Sequence, residues 1–218
     1  MMTIGRIALL AGAATALASG QTGASLGIFE GSGDVGTPSH KGSVLYDAER
    51  KEYRITGGGA NMWDARDDFF FVWKKMTGDV AITAKVKILS DGAGHRKAGL
   101  ILRKGLEHGS IYGDAMLHGD GTTALQWREK GDDKSRTVHF PVDAPTRLRI
   151  ERRANRIILF AGEEGGPLKR MGDTEMAPFS PIYAGLGVCA HDDKAEVTAV
   201  FSDVVVEALP ATPPARKK

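Results

Sequence analysis

The residues best suited to chemistry lie together between Gly57 and Lys75, in the stretch GGGANMWDARDDFFFVWKK. Its first half places Asn61, Trp63 and neighbouring aspartates in a glycine-rich segment, which predicts a loop that reaches the surface. An indole ring beside amide and carboxylate groups can stack on a flat polar molecule and hydrogen-bond its rim, as in sites that hold sugars. This stretch therefore predicts a binding site.

Further polar side chains lie at alternating positions of predicted strands, so the strand face of each can be read from the sequence. If those faces lie on the same side of one sheet, the side chains form a polar, partly basic patch bordered by the loop. A solvated outer face is the alternative. The residues predicted to contact a ligand are Asn61, Trp63, Arg103, His118, Gln126, Arg128 and His191.

Strands must position these residues. Val80–Ile88 alternates apolar and polar side chains, and Phe69–Trp73 is a short apolar run that predicts a strand buried on both faces. The turn Gly119-Asp120-Gly121 predicts a hairpin, and Arg153–Arg156 predicts another. Further strand candidates are Ser43–Tyr46, Glu52–Thr56, Ala98–Arg103, Asp114–His118, Ala124–Glu129, Arg136–Phe140, Arg147–Glu151, Ile157–Ala161, Tyr183–His191 and Val197–Glu207.

No ten-residue stretch has convincing helical spacing. Short strands separated by glycine-rich turns are typical of an all-β protein with two antiparallel sheets packed as a sandwich. We expect residues 26–208 to form this single domain. Residues 209–218, with three prolines, are expected to form a disordered tail.

The first residues predict export. Arg6 precedes the apolar run Ile7–Leu17, and Ala16-Leu17-Ala18 is a small-residue cleavage signal. We therefore expect a signal peptide over residues 1–18 and a periplasmic or extracellular protein. The net charge is only +2 and is not concentrated in the predicted domain, so neither nucleic-acid binding nor a polybasic membrane surface is predicted, and no stable membrane insertion is expected.

Metal binding has little support in the sequence. Neither H-E-x-x-H nor C-x-x-C occurs, so we predict no metal ligand and no cofactor. A structural Ca²⁺ held by Asp34, Asp64, Asp67 or Asp203 is the alternative to a simple turn-capping role for these aspartates.

A series of motifs resembles a known family. GSGDVG at Gly31–Gly36, the GGGANMW and FVWKK segments, HRKAGLILR at His95–Arg103, YGDAMLHGDG at Tyr112–Gly121 and YAGLGVCAH at Tyr183–His191 occur in this order. Together they resemble bacterial secreted domains of unknown function with the concanavalin-A-like (jelly-roll) fold, which are found attached to β-propeller proteins and glycoside-active enzymes. The resemblance implies a lectin-like jelly-roll sandwich in which one sheet binds carbohydrate.

Glucanases of this fold place two glutamates and an aspartate at alternating positions of one strand, which brings acid and nucleophile about 5 Å apart. No such pattern occurs in this sequence, and we assign no catalytic residue. The sequence thus predicts an exported, non-catalytic, lectin-like module whose partner is a carbohydrate or glycan-like polymer. The alternatives are a glycoside hydrolase with Asp114 or a loop aspartate as general acid, and a periplasmic protein-interaction module.

Overall fold

The computed structural model describes residues 25–140 and 147–212. The expected signal peptide, residues 1–18, lies outside the described residues. Within them, all regular secondary structure is β-strand. The strands are β1 (Gly31–Val35), β2 (Ser43–Asp47), β3 (Glu52–Gly57), β4 (Met62–Trp63), β5 (Arg66–Asp67), β6 (Phe69–Met76), β7 (Val80–Ile88), β8 (Lys97–Arg103), β9 (Tyr112–His118), β10 (Thr123–Arg128), β11 (Arg136–Phe140), β12 (Arg147–Arg153), β13 (Arg156–Gly162), β14 (Lys169–Glu175), β15 (Ile182–Cys189) and β16 (Val197–Ala208).

These strands form two seven-stranded sheets and one small hairpin. The front sheet has the order β1-β6-β15-β8-β9-β10-β11, and the back sheet has the order β14-β13-β12-β7-β16-β3-β2. Every paired neighbour is antiparallel. The predicted all-β antiparallel sandwich is confirmed, and both predicted hairpins, β9–β10 and β12–β13, are present.

The central strands of the front sheet are buried on both faces. One set of alternating side chains, such as Phe70 and Leu100, packs with the back sheet in the main core. The opposite set, including Phe69 and Phe71, forms a second, smaller core on the outer face of the front sheet. The prediction that the Phe69–Trp73 run is buried on both faces is confirmed for Phe69 to Val72, because each face meets a different core.

Of the expected tail, residues 209–212 are described by the structure, and residues 213–218 lie outside the described residues. The backbone N–H of Leu209 donates to the Asp79 carbonyl at 2.9 Å, and the Thr212 hydroxyl donates to Asp79 Oδ2 at 2.6 Å. Asp79 therefore holds the start of this segment against the sandwich, although the prolines of the segment favour disorder. In the part of the chain that the structure describes, no helix is long and apolar enough to cross a bilayer.

Candidate ligand-binding depression

The β4–β5 hairpin lies over the outer face of the front sheet. Met62 is fully buried in the outer core beneath it. The approach to the hairpin needs glycine at position 59, where φ is +104° and a Cβ atom would lie 1.9 Å from the Asp68 carbonyl oxygen. The predicted glycine-rich loop is thus a short hairpin that packs on the front sheet through Met62.

A buried ionic network fastens this hairpin. Asp67 is 0% exposed and accepts hydrogen bonds from Arg128 through both carboxylate oxygens, at 2.7 and 2.8 Å. Arg103 Nη1 donates to Asp67 Oδ2 at 2.7 Å. Burial by itself lowers the pKa of Arg128, but the hydrogen bonds and negative charge of Asp67 outweigh it and raise that pKa.

Arg103 and Arg128 were predicted to contact a ligand, but the chain covers both side chains. Both are 0% exposed, and their remaining N–H groups donate to backbone carbonyls, Arg103 to Glu107 and Arg128 to Asp64. A guanidinium covered by the chain and hydrogen-bonded in this way cannot reach a ligand on the surface. Arg103 and Arg128 lie on the expected face of the sheet, but they hold the hairpin in place.

The other five predicted residues lie together. Beside the hairpin, the outer face of the front sheet opens into a depression of about 270 Å³. Asn61 and Trp63 border it from the hairpin, and its floor and sides are formed by strands β8 to β11, by His95 before β8 and by His191, two residues beyond β15. The lining residues are Asn61, Trp63, His95, Lys97, His118, Gln126, Thr137, His139 and His191.

Several polar atoms of this lining have no hydrogen-bond partner among the described residues. They are Gln126 Oε1, Thr137 Oγ1 and His191 Nδ1, and all three atoms are shielded from solvent. Gln126 as a residue is only 4% exposed. Buried polar groups are nearly always hydrogen-bonded in folded proteins, so three unpaired atoms beside one depression favour a polar partner there, which they can meet once their side chains rotate toward the opening.

Four of the six histidines of the chain surround the depression. The His95 ring centroid lies 5.5 Å from that of His118 and 5.6 Å from that of His191. His118 and His139 are 5.9 Å apart by the same measure. Despite this proximity, no group of three histidine, cysteine, aspartate or glutamate side chains with metal-binding geometry occurs among the described residues.

Four lining residues were not among the predicted ligand contacts: His95, Lys97, Thr137 and His139. Lys97 has the same parity in β8 as Gly99 and Ile101, so strand alternation alone could have placed it on this face. Thr137 and His139 could have been found in the same way, by extending the face assignment to β11. His95 precedes its strand, where alternation gives no direction.

Lys97 is the cation within the depression. It is 3% exposed, and its Nζ donates to Asn61 Oδ1 at 2.6 Å. Burial lowers its pKa, while electrostatic interactions with Cys189, Asp114 and Asp67 act in the opposite direction. The side chain that accepts its hydrogen bond, Asn61, is a neutral amide.

Asp114, the candidate general acid, lies in the middle of β9 and is fully buried. Burial raises its pKa well above the usual range, and the Lys97 charge only partly opposes this. Neither carboxylate oxygen makes a hydrogen bond of good geometry within the described residues, and Asp114 does not line the depression.

Of the aspartates considered as Ca²⁺ ligands, Asp34, Asp67 and Asp203 have other partners. Asp34 accepts from the Gly42 amide at 3.0 Å, and Asp203 pairs with Lys85 at 3.0 Å. Asp67 is occupied by the two arginines, and Asp64 is exposed at the hairpin turn.

A larger cavity of about 690 Å³ is lined by residues of both sheets. Two of its charged residues, Lys85 and Glu164, pair with each other at 3.1 Å. None of the unpartnered buried polar atoms of the described residues belongs to its lining. The smaller depression is therefore the better candidate for a specific site.

No protein-family model and no curated protein sequence matches this chain. Solved structures do match. A functionally unknown protein from Saccharomyces cerevisiae has a TM-score of 0.61 at 14% identity, covering 78% of this chain and 93% of that one. The carbohydrate-binding module CBM66 from Bacillus subtilis has a TM-score of 0.55 at 18% identity, covering 83% and 98%. A Bacillus licheniformis β-glucanase has a TM-score of 0.51 at 11% identity, covering 87% and 100%.

These similarities establish the fold. The neighbours are jelly-roll sandwich proteins, and the two seven-stranded antiparallel sheets of this chain have the same architecture, consistent with the concanavalin-A-like resemblance of its motifs. One fold carries both binding modules and enzymes, so function must be argued from the depression itself.

Proposed function

We propose that this protein is an exported module that binds carbohydrate in the depression beside the β4–β5 hairpin and does not transform it. The observation that carries this proposal is the combination of one half-buried indole, Trp63, with unpartnered polar atoms of Gln126, Thr137 and His191. A sugar offers both matching features, an apolar ring face and a rim of hydroxyl groups.

The unpartnered atoms favour a ligand rich in hydroxyl groups. A buried polar atom without a partner costs on the order of 1–3 kcal/mol, and a ligand hydroxyl that pairs with it removes that cost. Hydroxyls both donate and accept, so they suit the amide oxygen of Gln126, the hydroxyl of Thr137 and the ring nitrogen of His191 alike. An apolar ligand would leave all three unpaired.

The backbone at His191 is consistent with a functional role. This residue follows β15 with φ of +56°, a left-handed conformation that is uncommon for residues other than glycine. Such conformations cluster at functional sites, where the surrounding structure holds a side chain in a required direction. Here the conformation directs the imidazole to the depression.

Binding without hydrolysis is supported by the charge of the lining. Glycoside hydrolysis uses two carboxyl groups on either side of the scissile bond, and no aspartate or glutamate lines the depression among the described residues. Asp114, the candidate general acid, is fully buried and does not line the depression. The fold of the Bacillus subtilis carbohydrate-binding module adds general support.

The first test is a glycan array followed by calorimetry, comparing the protein with Trp63→Ala. We expect micromolar to millimolar dissociation constants, because a single stacked ring and a few exposed hydrogen bonds give modest affinity. Trp63→Ala should weaken binding by about tenfold, since the stacking of an indole on a sugar ring contributes on the order of 1–2 kcal/mol.

Two further variants serve as controls. Trp63→Phe retains a ring and should recover part of the affinity, whereas Leu45→Ala alters an exposed apolar residue outside the depression and should leave binding unchanged. Equal binding by Trp63→Ala, or no binding to any glycan, contradicts the proposal. Release of new reducing ends from a bound glycan would favour the hydrolase alternative.

A further inference from the structure

The ionisable side chains around the depression are all bases. The lining contains Lys97 and four histidines, and among the described residues it contains no aspartate or glutamate. Neutral and acidic sugars both carry hydroxyl groups, so the unpartnered atoms do not distinguish them. The basic lining does, because it favours a negatively charged sugar. An inference about that charge rests on the proposed function and concerns the same depression.

Lys97 is a buried cation without a contacting anion. Within the described residues no carboxylate lies within ion-pair distance of its Nζ, and its hydrogen-bond partner is the neutral Asn61 side chain. Asp114 and Asp67 act on it only through their charges, at longer range. A buried ammonium is costly unless it is paired, so this site gains from a negative group brought by a ligand.

The positive charge of Lys97 also contributes to lowering the pKa of two histidines, His118 and His191. Burial is the main cause that lowers the pKa of His118, to about 4, and Lys97 lowers it further. Burial, Lys97 and His95 lower the pKa of His191 in that order. The opposing groups at His118 are the Thr122 carbonyl and Asp120, which raise its pKa.

The remaining elements around these histidines add no negative charge to the lining. The hairpin side contributes Asn61 and Trp63, β10 contributes Gln126, and β11 contributes Thr137 and His139. The depression therefore combines neutral hydrogen-bonding groups with one ammonium and imidazoles that a nearby negative charge would protonate.

We propose that the depression selects acidic sugars, with Trp63 stacking on the ring and Lys97 pairing with the negative charge of a carboxylate or sulfate ester on that ring. His118 and His191 flank this position and add positive charge when the anion is bound. The ligand class is thus an anionic polysaccharide, such as a uronic-acid polymer.

The test is isothermal titration calorimetry with three ligands. They are the trisaccharide of galacturonic acid, the fully methyl-esterified form of that trisaccharide, and a trisaccharide of sulfated galactose. We expect an acidic trisaccharide to bind at least tenfold more tightly than the neutral ester, and the tighter-binding of the two acids identifies the anionic group. Equal binding of acid and ester overturns the inference but leaves the proposed function standing. Absence of binding to these and to every glycan of the array overturns both.

Lys97→Met should reduce the acid-to-ester affinity ratio to near one. The control Lys130→Met removes an exposed lysine outside the depression and should leave the ratio unchanged. His191→Gln provides a second variant at a less buried position and should reduce the same ratio. A ratio unaffected by both Lys97→Met and His191→Gln contradicts the inference.

Acidic ligands should also bind more tightly as the pH falls from 7.5 to 5.5. A bound anion raises the pKa of His118 and His191, so binding takes up protons, and affinity rises by up to about tenfold per pH unit for each proton taken up. The methyl ester should show a much flatter profile. Equal pH profiles for acid and ester, or binding abolished by a metal chelator, would contradict direct recognition of the anion.

Discussion

Asp67 is the residue on which the hairpin depends most. Within the described residues it is the only carboxylate that the buried Arg103 and Arg128 both contact, at distances of 2.7 to 2.8 Å. Removing its charge leaves two buried cations without an anion. We expect Asp67→Asn to lower the free energy of unfolding by about 3–5 kcal/mol, measured by urea denaturation.

The matched control is Glu175→Gln, which removes the charge from a surface ion pair with Arg156 in which the Glu175 side chain is 68% exposed. Because exposed pairs contribute little, this change should stay within about 0.5 kcal/mol. Similar losses in the two variants would show that the buried network does not stabilise the protein in the way proposed.

His118 makes the stability of the protein dependent on pH. Its pKa falls from 6.5 to about 4 on folding, so the unfolded chain binds a proton more readily. This contribution to stability is fully present above pH 6.5 and is lost as the pH falls toward 4. The loss amounts to roughly 3 kcal/mol, from the size of the pKa difference.

Urea denaturation between pH 7 and 4 measures this effect, with His118→Gln as the comparison. The variant should lose stability less steeply over that interval, although its carboxylates still titrate. Parallel stability curves for the two proteins would mean that His118 is not the responsible group.

The sequence predicted five of the residues that line the depression. His118 and Gln126 line it because side chains alternate strictly along neighbouring strands, while Asn61, Trp63 and His191 reach it from segments outside those strands. The burial of Asp67 could not be predicted, since a carboxylate in a glycine-rich segment ordinarily faces water. Only the three-dimensional meeting of β5, β8 and β10 brings both arginines to it.

The front-sheet strand β15 lies close to its neighbour β6 at Gly185. A Cβ atom at Gly185 would lie 1.9 Å from the Val72 carbonyl oxygen of the adjacent strand β6. Backbone atoms cannot move aside as a side chain does. We expect Gly185→Ala to destabilise the protein by about 3 kcal/mol in thermal or urea denaturation.

Gly33→Ala is the control for this change, because the nearest atom to its added Cβ is 3.7 Å away, in the Trp73 side chain. It lies in the edge strand β1 and should change stability by less than about 1 kcal/mol. If both variants were equally stable, close approach between β15 and β6 would not explain the glycine at position 185.

Most strands could be predicted, and the exceptions have physical reasons. The edge strands β1 (GSGDV) and β14 (KRMGDTE) lack the regular apolar alternation of a strand that is half buried. Their pairing is determined by β6 and β13, which carry the apolar side chains. The hairpin strands β4 and β5 are two residues each, too short for any periodic signal.

For the whole molecule, the two-sheet sandwich follows from the recurring period-two pattern. The pattern could not show that the outer face of the front sheet has its own core, which the hairpin covers. That cover divides the predicted polar patch into a buried arginine network and an open depression. The ligand-contacting set is smaller than expected for this reason.

Export is a property of the whole chain that the sequence alone predicts. We expect cleavage after Ala18 and recovery of the protein from the periplasm or the medium, with Ser19 as the first residue. Intact-mass measurement and N-terminal sequencing of protein expressed with its complete N-terminus provide the check. An uncleaved chain retained in the cytoplasm would contradict the predicted export.

The burial of Cys189 has a practical consequence for experiments on this protein. Its thiol is 0% exposed, and burial raises its pKa to about 11, so it reacts poorly with alkylating reagents in the native state. Since the chain has no other cysteine, Glu175→Cys on the back sheet would supply the one maleimide-reactive position. A dye or sensor surface attached at that point leaves the opposite sheet free for binding measurements.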